Sequence, residues 1–110
     1  MQKSSIIENH NTQALIDSMV SGNAEAIIIG IQSEIPILIM NAILQGAKHC
    51  ITDSSFIRAL QEKHVNSDVV LLGVRIGSCA IAALDYLNIK KYKGDDQFIT
   101  GLIETKFQYV

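Results

Sequence analysis

Tryptophan is missing from these 110 residues, and proline occurs only once, at Pro36. Seven glycines are spread along the chain. So little punctuation opposes an all-β chain of many turns and favours a few long helices. Aromatics are scarce, with three Phe and three Tyr. The apolar content of 48% is carried instead by Ile, Leu, Val and Ala, enough for one domain with one core. Neither sign of charge dominates: the net charge is -2 and no long basic or acidic run exists. Direct nucleic-acid binding, which needs a basic face, is therefore not expected. Cys50 and Cys79 are too few for a disulfide framework, and each falls in an apolar context where a free thiol acts as a small hydrophobe. That fits a reducing cytoplasm. The opening residues carry only Ile6-Ile7 as an apolar pair and do not read as a signal peptide. Every apolar stretch is broken before the roughly 18 residues of a membrane span.

What is present is helical punctuation. Residues 1–10 read as a loose lead-in. Asn11 or Thr12 caps a first helix that stops near Ser21-Gly22. Asn23 caps a second, to about Ser33, and Pro36 opens a third, to about Lys48. Asp53 caps a fourth, to about His64. Ser67 or Asp68 opens a fifth, reaching Leu87, and Asp95 or Asp96 a sixth, from Gln97 to about Phe107. The β-branched runs Ile27-Ile28-Ile29 and Val69-Val70-Leu71-Leu72 suit strands. Neither is bounded by turns on both sides, and a repeat argues for helix.

Asp53-Ser-Ser-Phe56-Ile57 recurs as Asp95-Asp-Gln-Phe98-Ile99, and Asn11 stands the same distance before Asp53, with Ala14 and Leu15 at the apolar positions. Likewise Glu25-Ala-Ile-Ile-Ile-Gly30 matches Asp68-Val-Val-Leu-Leu-Gly73. A period of roughly 42 residues built of helices is the HEAT or armadillo pattern. The expected fold is all-α, with about six helices in a short stack. One repeat covers 11–52, a second 53–94, and a terminal helix 95–110, all within one domain. Gly30 and Gly73 then fall inside helices, where close helix approach is the reason for glycine; Gly73-x-x-x-Gly77 reads the same way.

Stacking would align polar stripes into one binding surface. The fifth helix would carry Asp68, Arg75, Ser78 and Asp85, at spacings that keep one face. The second would add Glu25 and Gln32, and the third Asn41, Gln45 and Lys48. Glu34 is a further acid nearby. A second surface is the loop with Lys91, Tyr92, Lys93, Asp95 and Asp96, where an aromatic stands among charges. The plain alternative is that these are solvated helix faces, with the loop serving only to end one helix and cap the next. Catalysis has little to work with. His10, His49 and His64 show no metal spacing, adjacent His49 and Cys50 diverge on a helix, and no phosphate loop or nucleophile elbow occurs. No catalytic residue, metal or cofactor is expected.

The segments Pro36–His49 and Gly73–Leu87, followed by Lys91-Tyr92-Lys93-Gly94-Asp95-Asp96, resemble small helical immunity proteins of bacterial contact-dependent growth inhibition and related polymorphic toxin systems. The resemblance covers most of residues 11–103. It implies a cytoplasmic, non-enzymatic protein that binds one cognate toxin domain, often a nuclease, and blocks its active site. Against a basic nuclease cleft the inhibitor would offer acids, for which Glu25, Glu34, Asp68, Asp85, Asp95 and Asp96 are the candidates. A helical-repeat adaptor for some other protein shares the same patterning. An exposed apolar end of so short a stack would favour a homodimer.

Overall fold

The computed structural model describes residues 12–110. The loose lead-in expected over 1–10, the cap Asn11 and His10 lie outside them. The chain is all-α apart from one small hairpin. Six helices lie among the described residues: α1 over 12–20, α2 (Ala24–Ile31), α3 (Pro36–Lys48), α4 (Ser54–Ala59), α5 (Ile76–Tyr86) and α6 (Gln97–Glu104).

Local chemistry sets most boundaries. Gly22, at φ +87°, closes α1 as its N–H reaches Met19 O and that of Asn23 reaches Ser18 O. Asn23 then caps α2, its Oδ1 accepting from the Ala26 N–H at 3.0 Å. Pro36 supplies the first turn of α3. Asp96 caps α6 by accepting from the Phe98 and Ile99 N–H groups.

Three other helix ends use the same doubly bonded motif without glycine. Cys50 ends α3 at φ +56°, Asn88 ends α5 at +62° and Lys106 ends α6 at +55°. In each case the following amide, of Ile51, Ile89 or Phe107, reaches back five residues to a carbonyl of the last turn. Cys50 is therefore exposed at a helix end, against the expectation that both cysteines act as small hydrophobes, whereas Cys79 is fully buried in α5.

α3 and α5 are the central pair, with α2 packed on α3 and α6 on α5. The core between them is built from Met19, Ile27, Ile31, Ile43, Phe56, Leu60, Ile76, Cys79 and Phe107. Gly30 allows the close approach expected of it: an added Cβ would lie 2.2 Å from Met19 Cε and 3.1 Å from Ala42 Cβ. Gly46 makes a second approach that sequence reasoning missed. An added Cβ there would lie 2.2 Å from Cζ of Phe56, so the ring of α4 rests on the bare backbone of α3.

α4 passes into a widened π-helical turn, Leu60–His64, closed by the Val65 N–H on Leu60 O at 3.0 Å. The turn places His64, 2% exposed, so that Nε2–H donates to Ile31 O at 2.7 Å. Burial lowers its pKa from 6.5, and Lys63 adds to that, while the bond to Ile31 opposes it. The unfolded chain therefore binds a proton below pH 6.5 that the folded chain refuses. His64 stabilises the fold at neutral pH, and that contribution is lost as pH falls through 6.5, at no more than about 1.4 kcal/mol per pH unit. Denaturant midpoints of the wild type and His64→Gln between pH 5 and 8 check this: the difference between the two curves should narrow on the acid side.

The fifth helix does not begin at Ser67 or Asp68. Val70–Leu71 (β1) and Val74–Arg75 (β2) pair antiparallel, Val70 opposite Arg75, around a tight turn at Leu72-Gly73 with φ +55° and +78°. Gly73 is thus a turn residue with open space around it, not a helix-packing glycine. The sequence repeat maps onto elements of different kinds. α1 corresponds to α4, α3 to α5 and α4 again to α6, but the hairpin stands where α2 has its counterpart.

Candidate functional site

The hairpin, the segment after the π turn, α5 and the loop beyond it enclose one groove of about 750 Å³. Its apolar floor is Val65, Ile81 and Leu84, and its cations are Arg75, Lys90, Lys91 and Lys93. Among the described residues no carboxylate lines it.

Two contacts hold its walls. Gly77, in the first turn of α5, brings the helix against loop backbone: an added Cβ would lie 2.6 Å from Ser67 O and 3.0 Å from Val65 O. The close approach read from Gly73-x-x-x-Gly77 therefore belongs to Gly77 alone, and its neighbour is a loop. On the other wall, Asp85, 6% exposed, accepts from the Tyr92 N–H at 2.7 Å through Oδ2. The Tyr92 hydroxyl accepts in turn from the Asp96 N–H at 2.9 Å, and its ring covers Gly94. A buried carboxylate on a rigid helix thus fixes the shape of the lysine loop.

The expected contact residues divide accordingly. Arg75, Lys91, Tyr92 and Lys93 come together at the groove. Asp95 and Asp96 are exposed just beyond it, Asp96 being engaged in capping α6. Asp68 is 95% exposed and pairs with Arg75, Oδ1 to Nε at 3.5 Å. Such a surface pair is weak and leaves the guanidinium accessible. Glu25, Gln32 and Glu34 are exposed around α2, away from the groove lining, and Asn41 is half-buried with Nδ2 donating to Ile37 O.

Two expectations fail. Asp85 is not a surface acid: α5 turns that face into the core, and Ser78 is buried with it. Gln45 is likewise buried, at 4% exposure, because α3 is covered on nearly every side; among the described residues its Oε1 meets no donor. The single polar stripe from Asp68 to Asp85 is broken because its first two members precede α5.

Sequence reasoning missed Leu72, Val65 and Asn66, whereas Lys90 belongs to the lysine loop it picked out. Leu72 is 87% exposed at the hairpin tip, with Val69 and Val70 exposed beside it. A bulky apolar residue at positive φ, in solvent, breaks two local rules at once. Where a turn of this kind favours Asn-Gly, the chain has Leu-Gly.

Among the described residues no three His, Cys, Asp or Glu side chains gather as a metal site would need. His49 is taken up in structure, Nε2 lying 3.1 Å from Val20 O at the end of α1. The Cys79 thiol is pushed up to about 11 by burial, far from an activated nucleophile. No described helix is long and apolar enough to cross a membrane. The chain matches no protein-family model, curated protein or solved structure.

Proposed function

We propose that this chain is an immunity protein, which binds a cognate toxin domain through the hairpin tip and the cationic groove beside it, and so covers the toxin's active site. The observation that carries this reading is Leu72. Strain and exposure at one apolar position are tolerated where a partner covers the side chain. An apolar anchor flanked by Arg75, Tyr92 and lysines has the composition of an interface centre and rim. The resemblance of α3, α5 and the following loop to immunity proteins supports the same reading.

The toxin surface that meets the groove is acidic in this proposal. Of the acids expected to meet a nuclease, Asp85 is buried, while Glu25, Glu34, Asp68, Asp95 and Asp96 are exposed but do not line the groove. Inhibition would then come from covering the active site with the whole face rather than from mimicking a nucleic acid with carboxylates.

Pull-down of the tagged chain from cells carrying its native locus, read by mass spectrometry, tests the proposal. One stoichiometric partner, the C-terminal domain encoded by the neighbouring gene, is expected. Several unrelated proteins would instead favour a general helical adaptor.

Leu72→Asn gives a sharper expectation. The Asn-Gly turn relieves the backbone, so the chain gains about 0.5–1 kcal/mol in denaturant unfolding. Affinity for the captured domain falls by about tenfold or more, as truncating an interface anchor does. A variant both more stable and as tightly bound would remove Leu72 from the interface.

A further inference from the structure

We infer that the groove between the hairpin and the lysine loop receives an extended acidic segment of the partner, with carboxylates on the cations and an apolar side chain on the floor. The inference rests on the toxin-binding reading for the identity of the partner, and on the groove itself for the chemistry.

Three features select such an occupant. Arg75, Lys90, Lys91 and Lys93 present four positive charges to one cavity in a chain of net charge -2, so the local field opposes the overall balance. The lysines are exposed while Val65, Ile81 and Leu84 are half-buried or buried, a lining that suits alternating charged and apolar side chains. The wall is set before binding, because Asp85 holds Tyr92 from inside the core. A preset groove avoids part of the ordering cost of capturing a flexible chain.

A nucleotide fits these features less well. Tyr92 is the aromatic residue in the lining, and its ring covers Gly94 while its hydroxyl accepts from Asp96. Its hydroxyl end is therefore already engaged by Gly94 and Asp96. No glycine-rich phosphate loop borders the groove, and lysines on a loop act as point charges rather than a shaped phosphate cradle.

The test uses the intact chain and a short acetylated, fluorescein-labelled peptide of alternating Glu and Leu, followed by fluorescence polarisation. Saturable binding is expected, weakening as salt rises from roughly 50 to 300 mM. Lys91→Glu combined with Lys93→Glu should reduce affinity about tenfold or more, and the matching Gln pair by less. Arg58→Glu, an exposed cation of α4 outside the groove, should leave it unchanged. The Lys/Leu counterpart peptide should not bind. Absence of peptide binding, an equal loss with Arg58→Glu, or preferential uptake of ATP or pyrophosphate would overturn the inference. The same variants separate the two levels of the argument. If the captured toxin domain binds the double Glu variant as tightly as wild type, the groove assignment fails and the toxin reading stands. If the peptide binds but no toxin domain is found, the groove stands and the partner reading fails.

Discussion

Phe56→Ala lowers the unfolding free energy by about 3–5 kcal/mol, the range for deleting a fully buried aromatic ring. Phe56 is 0% exposed and rests on Gly46, where even a methyl group would collide with the ring. The ring therefore fills a recess over Gly46, which has no side chain to refill it. Little collapse of the cavity is expected, which puts the loss toward the top of the range. Urea unfolding followed by circular dichroism measures it. A loss below about 1.5 kcal/mol would show that α4 is peripheral rather than seated on α3. Phe98, at the equivalent position in the sequence, is 42% exposed among the described residues, and its loss should cost far less.

The second large effect joins stability to function. Asp85→Ala removes the acceptor of the Tyr92 N–H and leaves a partly buried donor unmet, at about 2–3 kcal/mol for a charge-assisted bond. The lysine loop then loses its anchor, so acidic-peptide binding at the groove falls although no groove-lining charge has changed. Asp85→Asn keeps an acceptor oxygen and should restore most of the stability and most of the binding. If Asp85→Ala destabilises the chain while peptide affinity stays at the wild-type value, the loop is held by something other than Asp85.

Much of this architecture was legible in the residues. Asn23, Pro36, Asp53 and Asp96 each mark a helix start, and the recurring Asn/Asp with an apolar pair aligned α1, α4 and α6. The hairpin was not seen because the repeat outweighed a local signal. The first copy reads Ala24-Glu25-Ala26 and makes a helix. The second reads Ser67-Asp68-Val69-Val70, trading alanine for valine, and a glycine at positive φ completes the turn. Intrinsic preference alone does not separate the two segments, since the first carries Ile27-Ile28-Ile29; the turn at Leu72-Gly73 does. Cys50, Asn88 and Lys106 ended helices in a conformation usually signalled by glycine, so those ends had no strong local mark.

The site was legible in part. The lysine loop and Arg75 could be picked out as charged residues, but their meeting in one groove depends on the hairpin. Asp85 was misread for a related reason. An acid on a mainly apolar helix suggests a solvated stripe, whereas here it faces inward to take the amide of a residue seven positions later. Leu72 carries no signal as an isolated leucine; it stands out only when φ and exposure are known together.

The measurement that bears most directly on the central claim is amide hydrogen exchange of the chain alone and in complex with the domain captured from its own locus. Binding at the hairpin and groove predicts new protection in the segments around Val65-Asn66, Val70–Arg75 and Lys90–Gly94, with α2 and the outer face of α6 unchanged. Protection confined to α2 or α6, with the hairpin still exchanging freely, would contradict it.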